Sequence, residues 1–123
     1  MRCLVLVFLM LATSPAWAEW MKVTASSDDV YYLDTSTIRI NGNFRKAWTL
    51  IDFIKIGRKG LKSLKAFKEF DCKEERFRVL TAVGYEGQMG TGTVLGSENP
   101  TIPWGYVAPQ TASAEVLRFV CSR

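Results

Sequence analysis

Only two cysteines, Cys72 and Cys121, lie beyond the first 18 residues, and the chain contains no histidine. Those first residues read as an export signal: Met1 and Arg2, an apolar stretch from Leu4 to Ala12, then Pro15 and the small-residue pattern Ala16-x-Ala18. The apolar stretch is about half the roughly 20 residues that a membrane-spanning helix needs, so cleavage is expected after Ala18. Residues 1–18 are then a discarded signal and residues 19–123 a single domain. Export carries Cys72 and Cys121 into an oxidising compartment, where only one pairing is open to them. Closing a loop of about 50 residues removes denatured-state entropy worth roughly 4 kcal/mol. The rival use of a lone thiol, nucleophilic catalysis, wants a neighbouring base, and histidine is absent. A structural Cys72–Cys121 disulfide is therefore predicted.

A lipid anchor would require a cysteine directly after the cleavage site, and that position is Glu19. No later segment is long and apolar enough to span a bilayer, so the expected product is exported, without a transmembrane segment or lipid anchor, and periplasmic, cell-surface or secreted. It retains 15 Lys and Arg against 12 Asp and Glu, a mild positive charge. A domain of this size buries roughly 65% of the surface its unfolded chain exposes, so a cross-link adds usefully to a modest core.

Short extended segments punctuated by turn residues predict an antiparallel sheet. Glu19 to Ala25 and Val30 to Leu33 are separated by Ser26-Ser27-Asp28-Asp29, and Asp34-Thr35-Ser36-Thr37 has the short oxygen-bearing side chains of a capped helical turn. Ile38 to Ile40 and Phe44 to Ile54 flank Asn41-Gly42, which predicts a type I′ hairpin. The second of these strands has Phe44, Trp48, Leu50 and Ile54 on one face and Ala47, Thr49, Ile51 and Phe53 on the other. It is apolar on both faces, as a central strand is. In "LKSLKAFKEF" the apolar residues Leu61, Leu64, Phe67 and Phe70 recur every three positions, a period that suits helix and strand equally. Glu75 to Tyr85 reads as a strand with Phe77, Val79, Val83 and Tyr85 opposite Arg76, Arg78, Leu80 and Ala82. The glycine-rich piece after it lacks phosphate-loop spacing and predicts a hairpin or bulged edge. Thr111 can cap a final helix whose apolar side carries Ala112, Val116, Phe119 and Val120. The disulfide would then tie that helix to the sheet.

Candidate chemistry is sparse. Glu69 and Asp71 share a strand face, and Asp28-Asp29 and Glu74-Glu75 are adjacent acids, but Arg76 and Arg78 stand ready to neutralise such pairs. No nucleophile motif, metal-ligand spacing or cofactor fingerprint is present, so no catalytic residue, metal or cofactor is expected. Lys55, Arg58, Lys59, Lys62, Lys65 and Lys68 fall in one stretch without an intervening acid. In an exported protein such a basic strip would attract an anionic, for example sulfated, glycan, an acidic protein surface or lipopolysaccharide phosphates, with no specific nucleic-acid partner. Lysines that keep an edge strand from aggregating are the competing explanation. Trp20, Tyr31, Tyr32, Trp48, Trp104 and Tyr106 offer core, partner or homodimer surface.

"YYLDTSTIRINGNFRKAWTLIDF", "SLKAFKEFDCKEERFRVLTAVGY", "MGTGTVL" and "IPWGYVAPQTASAEVLRFVC", in that order, resemble the surface-adhesin protein E family of Gram-negative bacteria. The paired tyrosines with Asp34, Trp48 with Asp52, Phe70-Asp71-Cys72 with Arg76 and Arg78, and the ending from Pro109 to Cys121 carry the likeness. The resemblance implies an α+β fold, a small antiparallel sheet of about five or six strands with a C-terminal helix tied to one face, and it tips "LKSLKAFKEF" to strand. It also implies adhesin-like binding of host matrix proteins. The family's founding member is lipid-anchored, which this chain is not expected to be. The resulting expectation is an exported non-enzymatic binding module; the alternative is a periplasmic, envelope-associated protein without host contact.

Overall fold

The computed structural model describes residues 18–55 and 60–123. The expected signal segment up to residue 17, and Arg58 and Lys59 of the basic strip, lie outside the described residues. Within them the chain forms one antiparallel sheet in the order β1-β2-β4-β5-β6-β7, from β1 (Trp20–Ala25), β2 (Asp29–Asp34), β4 (Phe44–Phe53), β5 (Ser63–Asp71), β6 (Arg76–Tyr85) and β7 (Val94–Glu98). Two short strands, β3 (Arg39–Asn41) and β8 (Gly105–Tyr106), pair with β4 and β6. The strand count is therefore eight rather than five or six. A 3₁₀ turn at Thr35–Thr37 separates β2 from β3 along one side of β4, and a connection containing Pro100 and Pro103 separates β7 from β8 along one side of β6. Proline offers no N–H to a ladder, which interrupts pairing there.

Local chemistry accounts for the turns. Asp34 caps the 3₁₀ turn: its Oδ1 accepts from Ser36 N at 3.0 Å and from Glu19 N at 3.2 Å, which satisfies a buried carboxylate and fixes the start of β1 at once. The hairpin between β3 and β4 is displaced by one residue from the expected one. Asn41 pairs with Phe44, so the loop is Gly42-Asn43, and only Gly42 has a positive φ, 59°. That is the type II′ pattern, with glycine first, instead of type I′. The ambiguous lysine-rich segment is β5, paired along its length with β4 and β6.

Directly opposed residues share a face of a sheet, so the register sorts the side chains. One face carries Tyr31, Leu33, Ala47, Phe70 and Phe77, and on it lies α1 (Ala112–Cys121), which buries Val116, Leu117 and Val120 against them. Thr111 caps this helix as expected, accepting from Ala114 N at 3.2 Å. In β6 the expected alternation fails halfway. Phe67 pairs with Thr81 but Lys68 with Val79, so Leu80 is bulged, and beyond it Ala82 and Gly84 take the helix face while Val83 and Tyr85 take the other. The Cys72–Cys121 disulfide is formed, with Cα atoms 5.7 Å apart, and joins the end of α1 to the β5–β6 turn.

The glycine-rich segment folds over the face away from the helix. Met89 N donates to Asp52 Oδ1 at 3.0 Å, Gly90 N donates to Ser63 Oγ at 2.9 Å, and Ser63 Oγ donates to Gly87 O at 2.6 Å. Asp52 and Ser63 stand opposite each other on β4 and β5 and act as one clamp. Gly90 has φ 67°, which favours glycine, and a Cβ there would come within 2.3 Å of Lys65 Cε and push that side chain aside. Beyond the loop, β7 carries the expected edge bulge, at Leu95.

Candidate functional site

The face opposite the helix presents two adjacent rows of side chains, running across the strands, at the β3–β4 hairpin end. In the first, Arg39 stands opposite Lys46, Lys46 opposite Glu69, and Glu69 opposite Arg78. In the second, Asn41, Phe44, Asp71, Arg76 and Tyr106 follow one another across five strands. Arg78 donates through both Nε and an Nη to Glu69 Oε1, at 2.9 and 2.6 Å, and Arg76 Nε donates to Asp71 Oδ2 at 3.0 Å. The Trp104 ring lies against both guanidinium groups, 4.9 Å from Arg76 and 4.6 Å from Arg78, and its centroid is 6.0 Å from that of Phe44. The planar cation is well suited to stacking on indole.

Asp71 is only 3% exposed. Burial pushes its carboxyl upward, but the Glu74 N–H, the Arg76 guanidinium and the Lys73 N–H outweigh this and hold it below the usual carboxylate range. Glu69 and Asp71, the acids best placed on paper for proton transfer, are thus occupied by arginines. Asp28 is likewise paired, with Lys55 at 2.9 Å. Among the described residues no group of three or more His, Cys, Asp or Glu side chains could hold a metal ion.

The four described residues of the basic strip are distributed over the molecule. Lys55 pairs with Asp28, and Lys62 is exposed. Lys65 points to the face away from the helix, with its Nζ 5.8 Å from the Trp20 ring centroid and 5.1 Å from that of Tyr85. Lys68 lies on the helix face between Ala47 and Val79, with its Nζ 4.8 Å from the Phe77 centroid. Lys65 and Lys68 therefore face opposite sides of the sheet. Lys68 has no acid partner among the described residues, and burial lowers its pKa to about 8, although part of the residue reaches solvent.

A lysine whose pKa is lower folded than unfolded binds fewer protons in the folded state between the two values, so stability rises with pH across that interval. The expected result is a domain that gains stability from about pH 8 towards the ordinary lysine value of about 10.4. Lys68→Met should flatten this rise and add on the order of 1–2 kcal/mol at pH 7, allowing for residual exposure. Urea unfolding of both proteins from pH 7 to 9.5 measures the difference, and parallel curves would show that the amine pays no burial penalty.

Of the aromatic candidates, Tyr31 packs against the helix-side core and Trp48 stacks at 5.3 Å on Phe67 of the other face. Tyr106 is 73% exposed and Phe44 37% exposed, beside Trp104. A groove of about 670 Å³ runs beside the disulfide, between α1 and the Val107–Gln110 segment; of its charged residues, Glu115 and Arg118 are paired with each other, and Glu75 lies on the opposite side.

The sequence model of the surface-adhesin protein E family matches residues 20–122. The chain belongs to that family. Crystal form II of Haemophilus influenzae protein E shares the fold with a TM-score of 0.64 at 13% identity, covering 86% of this chain and 89% of that one. Protein E from non-typeable H. influenzae gives a TM-score of 0.57 at 12% identity, covering 86% of this chain and 77% of that one. No curated protein matches. The match spans the whole described sheet and helix, so the disulfide, the helix-covered face and the open face belong to the family domain itself. Among the described residues of this protein E relative, no helix is long and apolar enough to cross a membrane. Trp104 was among the aromatic candidates, but its contact with Arg76 and Arg78, the Arg39 and Lys46 cations and the Asp52–Ser63 clamp were not singled out from the sequence as functional features.

Proposed function

We infer that this protein is an exported, non-enzymatic binding module of adhesin type, which contacts host matrix proteins or anionic surface ligands through the sheet face that the helix leaves open. The observation that carries the reading is the match to a surface-adhesin family over residues 20–122. The geometry agrees with it: carboxylates that could serve acid–base chemistry are held by arginines, while exposed rings, and cations without an acid partner among the described residues, gather on the open face.

Protease added to intact producing cells should digest the protein, and cells lacking it should attach less to immobilised matrix proteins. Protection that persists until the outer membrane is opened would instead favour a periplasmic, envelope-associated role without host contact.

A further inference from the structure

We propose that the hairpin end of the open face is a binding site for a sulfated glycan, with Arg39 and Lys46 as its anion-contacting residues and Phe44, Trp104 and Tyr106 as its stacking platform. Arg39 and Lys46 are exposed and directly opposed across β3 and β4. Like charges so placed repel and weaken the strand pair. Neither is paired with an acid among the described residues: Glu69, next in the row, is taken by two hydrogen bonds from Arg78. Adjacent strands are about 4.8 Å apart, so the cations of this row are spread over roughly 14 Å from Arg39 to Arg78. An elongated polyanion lying across the strands would meet several of them.

Two further observations set the chemistry of the occupant. A groove of about 210 Å³ lies here, lined by Arg39, Asn41, Phe44, Arg45, Lys46 and Glu69, which is room for a small polar group, not for a large apolar body. The exposed rings next to it present flat apolar faces, and Trp104 is held in place by Arg76 and Arg78 instead of being free to collapse. Sulfates supply the anions, and the C–H faces of sugar rings supply flat surfaces for the aromatic groups. An acidic peptide would satisfy the cations but gives the rings nothing flat to stack on.

The inference rests on the binding-module reading and names the ligand class for its open face. Titration calorimetry of the purified exported domain with a heparin-derived hexasaccharide tests it, with the fully desulfated hexasaccharide as comparison. Binding is expected only with sulfate present, and Arg39→Ala and Lys46→Ala should each weaken it about tenfold, the scale of one lost charged hydrogen bond. Each should also reduce the salt dependence by about one released counterion. Lys62→Ala, at the other end of β5, should leave affinity within about twofold. The melting temperatures of Arg39→Ala and Lys46→Ala should stay level or rise, because each relieves the like-charge pair.

Equal losses in Lys62→Ala and Lys46→Ala would reduce the effect to net charge and overturn the site. So would undiminished binding of the desulfated sugar, or equally tight binding of a polyaspartate peptide of matched charge. Failure here leaves adhesion through another surface standing, whereas protease protection on intact cells removes the adhesin reading without altering the measured affinity.

Discussion

Replacing Cys72 and Cys121 together by serine is expected to destabilise the domain by about 4 kcal/mol, and to do so through the unfolded chain more than through lost contacts. The cross-link spans 49 residues and encloses β6, β7, β8 and nearly all of α1. Releasing it returns loop-closure entropy to the denatured ensemble, a substantial part of the 5–15 kcal/mol that a domain typically has. Because the reduced chain unfolds to a less compact state, the urea m-value should rise as the midpoint falls. The damage should also be local. α1 is held by three buried side chains and the bridge, whereas β4 and β5 are each paired on both sides along the sheet. Hydrogen exchange should therefore show α1 losing more protection than β4 or β5. An unchanged urea midpoint would mean that the packing of Val116, Leu117 and Val120 holds the helix by itself.

The disulfide and the C-terminal helix were legible because each rests on a local or forced signal: two cysteines with one pairing, and a threonine cap before an amphipathic run. Register was harder to read. Taking Asn41-Gly42 as the turn would set Arg39 against Phe44 and Lys46 against Thr37, whereas the observed Gly42-Asn43 turn sets Arg39 against Lys46. A one-residue displacement of a two-residue loop shifts the pairing by two, and here it hid the opposed cations. The basic strip was misleading for a related reason. Lysines three apart, as at Lys62, Lys65 and Lys68, are neighbours in the sequence but alternate between faces of a strand, so charge that is continuous in the chain is divided in space.

The β6 bulge had no sequence signature either. Leu80 is an ordinary apolar residue, and the extra position is imposed by pairing with β5. The Asp52–Ser63 clamp likewise joins two strands to a loop 27 and 37 residues away, which no local pattern announces. What the chain shows plainly is which segments extend and which end of it is helical. Which residues meet on a face is decided by turns and bulges whose energies differ by fractions of the whole.

That division between faces makes the second large effect a comparison within β5. Phe67 and Phe70 are the same residue type three positions apart, and a strand sends them to opposite sides. Phe70 is 1% exposed and packs with Leu33, Ala47 and the three buried residues of α1, its ring 6.2 Å from that of Phe77. Phe70→Ala should cost roughly 3–5 kcal/mol, the loss of an aromatic from a site that cannot close around the cavity. Phe67, half-buried against Trp48 on the open face, has solvent to replace part of what it loses, so Phe67→Ala should cost about 1–2 kcal/mol. Chemical unfolding of both variants settles the order. Costs that are equal, or larger for Phe67→Ala, would place the packed core on the other side of the sheet, and with it would fall the assignment of an open face on which the glycan site depends.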